Sequence, residues 1–208
     1  MSVHDWLSLG LICVLGAFSP GPSLMVILGV TVSKGRKKGF VASFGHGLGV
    51  FFYALLSATG LSILLVVHAN LFSAIQLLGA FFLFYLGFRI FYPIFFGLRT
   101  SNVKEKEVIF SNPFRDGFLI AILNPKIAAF FLSLFSQFLI DGQLFLTHLI
   151  MAVVAGTIDT FAYVTMVFLA STSLMSRFLS AYKKPLECFF GMVLIVLACS
   201  LLLKIANI

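Results

Sequence analysis

Two charged side chains stand alone in long apolar runs. Lys126 interrupts the stretch from Gly117 to Ile140, and Asp159 interrupts the stretch from Leu144 to about Ser171. If those stretches cross a bilayer, each charge costs at least about 2.5–3.5 kcal/mol near the midplane, so it must face protein or water and have a partner. Their opposite signs define the available chemistry. An ammonium can hold a carboxylate, and a carboxylate can hold an amine or accept a proton. A blander arrangement is also open, with Lys126 snorkelling to one membrane face and Asp159 capping a local break in the backbone.

Two interruptions of another kind accompany these charges. The first apolar run is broken by Ser19-Pro20-Gly21-Pro22 and the fourth by Asn124-Pro125-Lys126, with Pro20 and Pro125 separated by 105 residues, about half the chain. Proline removes a backbone donor and clashes with the preceding turn, which frees a carbonyl. Gly21 between two prolines lets the chain leave the helix altogether. In hydrocarbon such freed groups are tolerated only where they line a cavity or are covered by protein. At a rise of about 1.5 Å per residue, Pro20 lies about 20 Å into its span, and Pro125 and Asp159 fall roughly midway along theirs. His46 sits between Gly45 and Gly47, either titratable in a lumen or hydrogen-bonded to a neighbouring helix. Gly45 and Gly49 form the kind of small-residue face that lets helices approach closely in lipid.

The elements that must position these residues follow from composition. Of 208 residues, 61% are hydrophobic and 10% charged, against roughly 45–50% and 25% in soluble domains. That excludes a soluble catalytic or nucleic-acid-binding module, because a soluble surface needs far more polar side chains. A span takes about 20 apolar residues, so the length predicts an all-α polytopic membrane protein of six helices. The residues between Asp5 and Lys34 make one span. Those between Lys38 and Arg89 make two, hinged at His68-Ala69-Asn70. A solvated loop runs from Arg99 to Asp116 and includes the breaker Asn112-Pro113. The fourth span is Gly117–Ile140, the fifth Leu144 to about Ser171, and the sixth Leu186–Leu203. The whole of 1–208 is then a single transmembrane domain: repeat one at about 1–98, a loop at about 99–115, repeat two at about 116–208. Tandem three-span units must be inverted in the membrane, and matched broken helices in inverted halves mark a transporter's substrate site.

Charge placement gives the orientation. Lys34, Arg36, Lys37 and Lys38 follow span one, Arg99, Lys104, Lys106 and Arg115 follow span three, and Arg177, Lys183 and Lys184 follow span five. The alternate loops carry none, so the basic loops face the cytosol and both termini face outward. The net charge of +7 is thereby accounted for by topology and anionic lipid, without a nucleic-acid partner. The N-terminus has no basic region before its long apolar run, which reads as a retained span rather than a cleaved signal. Cys13, Cys188 and Cys199 form no CxxC, and no short spacing of His, Cys, Asp or Glu suggests a metal site. No cofactor motif is present. Arg89 is expected to snorkel, Trp6, Tyr53, Tyr92 and Tyr182 to mark interfaces, and Phe81-Phe82 and Phe130-Phe131 to face lipid or pack.

Over nearly its whole length the chain resembles the lysine-exporter / homoserine-threonine-exporter (LysE/RhtB) translocators. The similarity is carried by Pro20-Gly21-Pro22 and by Lys34-Gly35, Gly39-Phe40, Gly45, Gly49 and Gly60-Leu61. It continues through Gly79-Ala80, Tyr85-Leu86-Gly87, Gly117-Phe118-Leu119 and Asn124-Pro125-Lys126. The resemblance implies a bacterial inner-membrane carrier that exports amino acids or similar small metabolites, with protons as the coupling ion. His46 and the 26 phenylalanines depart from the usual pattern. The substrate/ion pathway is expected to include Ser19, Pro20, Gly21, Pro22, His46, Asn124, Pro125, Lys126 and Asp159. An exporter of another solute, a small membrane scaffold and an intramembrane enzyme are the alternatives. A homodimer and a monomer both remain open.

Overall fold

The computed structural model describes residues 1–19, 21–96, 112–170 and nine positions between 188 and 203; for residues 69, 82, 83, 86 and 89–96 it describes the backbone only. Among the described residues the fold is all-helical. Its helices are α1 (Val3–Phe18), α2 (Pro22–Lys34), α3 (Arg36–Val67), α4 (Ala69–Phe96), α5 (Pro113–Ile122), α6 (Pro125–Phe135) and α7 (Phe145–Ala170). Most of the sixth span, the loop from Arg99 to Ser111, Pro20, Tyr182 and the side chains of Phe82, Arg89 and Tyr92 lie outside the described residues.

Helix starts are written locally. Ser2 and Asp5 form a reciprocal capping box at the head of α1, which satisfies two otherwise orphaned amides. Three later helices each begin with proline at the first position: Gly21-Pro22, Asn112-Pro113 and Asn124-Pro125. Proline fits there because the amide it lacks would have no intrahelical partner. This corrects the expectation for Asn112-Pro113. Rather than breaking a loop, Asn112 accepts from the amides of Phe114 and Arg115, and the fourth apolar segment starts at Pro113 instead of Gly117. It also ends sooner, because α6 stops at Phe135. Asp159 does not break α7, which runs continuously past it, so the local cap considered for its carboxylate is absent.

Helices α3 and α7 are each long and apolar enough to cross a membrane. The pairs α1 with α2 and α5 with α6 qualify only together, bent by 57° and 55° at their breaks. Between α3 and α4 the chain turns at His68, whose amide donates to the Leu64 carbonyl at 2.8 Å and whose carbonyl accepts from Phe72 at 3.0 Å.

The centre of the bundle is α3, packed between α5 and α7 through glycines. A Cβ on Gly45 would fall on the Phe114 carbonyl, and one on Gly117 would fall on the Ala42 carbonyl. On the other flank, a Cβ on Gly47 would lie 3.0 Å from the Gly156 carbonyl, and one on Gly156 would lie 3.0 Å from that of Gly47. The close approach is therefore reciprocal at both contacts. Phe130 and Phe131 are buried and meet edge-to-face at 5.2 Å between centroids, so these two phenylalanines pack, whereas Phe81 is exposed. Leu7, Leu11, Leu56, Ile63 and Phe161 also project outward, which gives the bundle an apolar exterior that a bilayer can solvate.

Candidate functional site

The two helix breaks meet. Lys126, at the second position of α6, donates from Nζ to the Ser19 hydroxyl at 2.8 Å and reaches the Ser19 carbonyl at 3.4 Å. Asn124 caps α6 by accepting from the Lys126 amide at 2.9 Å, and its side-chain nitrogen donates to the Ser23 hydroxyl at 2.8 Å. One residue thus starts α6 and ties it to the first turn of α2. Gly21, the N-cap of α2, offers no side chain to that helix. A Cβ there would stand 3.3 Å from Lys126 Nζ, so the glycine leaves the ammonium its room. Pro22 and Pro125 begin the two helices that carry these groups.

On the other helices, His46 of α3 and Asp159 of α7 form a buried pair, with Nδ1 and Oδ2 separated by 2.6 Å. The backbone explains the meeting. Gly156 and Asp159, three residues apart, share one face of α7, and Gly156 is where α3 comes closest. The Tyr163 ring, four residues further along that face, stacks on the imidazole at 4.3 Å between centroids and 26° between planes. Nε2 of His46 is buried and makes no hydrogen bond among the described residues.

A cavity of about 60 Å³ joins the two clusters. Ser19, Gly21, Ser23, His46, Asn124, Lys126 and Asp159 line its polar side, and Ile12, Leu15, Val50, Ile127, Phe130 and Phe131 form most of its wall. That volume holds about two waters. Lys126 is directed at Ser19 and into this cavity, not along the helix to a membrane face. Asp159 is partnered by His46 and Lys126 by Ser19, and both charges line the one cavity.

Some lining residues have no distinguishing signal in the chain. Cys13 and Tyr163 line the cavity but look like ordinary members of apolar helices. Helical spacing gives a partial signal for Tyr163, which lies four residues after Asp159 on α7.

Comparison with known proteins gives the family. Residues 14–205 match the sequence profile of the LysE type translocators. The chain is 34% identical over 140 residues to an uncharacterised membrane protein of Pseudomonas aeruginosa, a match covering 65% of each chain and so a little under two thirds of that relative. It is 29% identical over 167 residues to the leucine efflux proteins of Salmonella typhimurium and Salmonella typhi, covering 79% of this chain and 77% of theirs. No solved structure matches it. Because the profile spans nearly the full length, the chain belongs to the LysE type translocator family.

Proposed function

We propose that this chain is a secondary carrier of the bacterial inner membrane that exports amino acids with apolar side chains, leucine foremost, in exchange for protons. Its architecture would be six spans in two inverted three-span repeats, with the basic loops in the cytosol. The observation that carries the proposal is the meeting of two helix breaks, 105 residues apart in sequence, at one cavity holding a cation, a carboxylate and an apolar wall. Lys126 would hold the substrate carboxylate, with the uncapped start of α2 beside it. Asp159 would hold the amine, and Ile127, Phe130 and Val50 would surround the side chain. The names of the Salmonella relatives support leucine as the first solute to try. At about 60 Å³ the cavity is smaller than a free amino acid, so transport would require the halves to part around it, as inverted repeats do when they rock.

The test is efflux from liposomes containing the purified protein and loaded with a panel of amino acids, with and without an acid exterior. Leucine and its branched relatives should leave faster than from protein-free liposomes, and faster still with the gradient. If no amino acid leaves faster than from protein-free liposomes, the proposal fails.

A further inference from the structure

We propose that a proton and the substrate's ammonium group compete for one site, the His46–Asp159 pair, and that this competition couples export to the proton gradient. The inference rests on the amino-acid carrier reading above and assigns its coupling to named atoms. His46 and Asp159 are both buried, stand 2.6 Å apart and line the cavity that also holds Lys126. Nδ1 of the imidazole is committed to the carboxylate. Nε2 is buried without a hydrogen-bond partner among the described residues, an arrangement that is costly to leave unmet. It is also the atom at which a proton can be added while the Nδ1 contact stays intact.

The surroundings favour a local exchange of this kind. On α7 the Tyr163 ring stacks on the imidazole, and an aromatic face accommodates an imidazolium. From α1 the titratable neighbour is Cys13, and from α6 it is Lys126, which is bonded to Ser19. The α1–α2 break and the start of α2 contribute only the hydroxyls of Ser19 and Ser23. On α5 the charged residues Arg115 and Asp116 approach each other to 3.8 Å in its first turn.

The charge count then gives the coupling. With a neutral imidazole and an ionised carboxylate the pair carries one negative charge, which attracts an ammonium across a cavity of low dielectric. A proton arriving at Nε2 makes an imidazolium whose Nδ1–H is still donated to Asp159. The pair is then neutral overall, and the ammonium loses its counter-charge and leaves. The proton departs from Nε2 when the cavity faces the opposite side, which restores the negative pair for the next substrate. The N–H bond at Nε2 is the one bond made and broken, and one proton moves for each amine. Lys126 takes no part in this exchange, so the amine end of the substrate, rather than the carboxylate end, carries the coupling.

Isothermal titration of the full-length protein in detergent, in two buffers of different ionisation enthalpy and over pH 5–8, reads this directly. L-Leucine binding should release close to one proton at the acid end of the range. Its affinity should fall as the pH falls, by up to about tenfold per unit, because the two ligands are reciprocally linked. The amine 3-methylbutylamine should also release a proton, and the acid 4-methylpentanoate should not. His46→Gln should remove both the proton release and the slope of affinity with pH, whatever its absolute affinity. Leucine binding without proton release overturns the competition and leaves the carrier reading standing. Absence of leucine binding at every pH overturns both. If His46→Gln does not fold, the two analogues decide in the wild-type protein, and equal release from both contradicts the proposal.

Discussion

Lys126 Nζ and the Ser19 hydroxyl, 107 residues apart in sequence, are joined at 2.8 Å across the two helix breaks. The ammonium is thereby held at the rim of α2, beside Gly21 and over the cavity. Under the proposed function an incoming carboxylate would replace this neutral acceptor with an anionic one, turning a charge-assisted hydrogen bond into an ion pair.

Gly21→Ala tests that placement. The backbone of Gly21 is extended, at φ −165° and ψ −178°, so alanine is conformationally acceptable there. Its methyl would stand 3.3 Å from Nζ, close enough to displace the flexible end of Lys126. The Michaelis constant for leucine efflux should rise roughly three- to tenfold with the melting temperature nearly unchanged, since a shift of 1.4 kcal/mol in binding is about tenfold. An unaltered Michaelis constant would show that the ammonium position is unimportant to substrate.

Asn124→Ala removes two bonds at once, the cap on the Lys126 amide and the tie to Ser23. Loss of the cap alone costs about 1–2 kcal/mol, and Ser23 loses a buried partner as well. Chemical denaturation in detergent should show a loss of about 2 kcal/mol. Asn124→Asp should restore the cap but not the donor to Ser23, and so recover only part of it.

Glycine contacts in the bundle predict a sharp contrast. Gly45→Ala drives a methyl into the Phe114 backbone carbonyl, which cannot rotate away. Overpacking of this kind costs about 1–3 kcal/mol. Gly29→Ala, in α2 with nothing within 4 Å of the new methyl, should instead be neutral or stabilising by up to about 1 kcal/mol, because alanine favours helix. Melting temperatures of the two variants should move in opposite directions or differ by several degrees.

Much of this arrangement is legible in the chain, and the reasons are local. Prolines announce the breaks after Phe18 and before Pro125, His68 marks the turn between α3 and α4, and the Gly45–Gly49 spacing marks the packed face of α3. Asn112-Pro113 is ambiguous, because the same dipeptide ends one segment and starts another; only the surrounding helix decides that Asn112 acts as a cap. The His46–Asp159 contact is harder still. It joins residues 113 apart, and nothing in the order of residues says which face of α3 meets which face of α7. A lone buried carboxylate signals that it needs a partner, but only the meeting of the helix faces supplies the imidazole.

The orientation predicted from the basic loops can be checked by labelling. In a background free of Cys13, Cys188 and Cys199, the variants Lys37→Cys, Glu105→Cys and Lys183→Cys should resist an impermeant thiol reagent added outside intact cells. Asn70→Cys should react. The reverse pattern would invert the chain in the membrane and remove the basis for cytosolic basic loops.

The most direct measurement is leucine efflux from liposomes carrying the wild-type protein, Lys126→Gln or Asp159→Asn, prepared side by side and checked for folding by gel filtration and melting temperature. A cavity in which Lys126 holds the carboxylate and Asp159 the amine predicts efflux from the wild type and only the protein-free leak from each folded variant. Normal export by both variants would contradict the account.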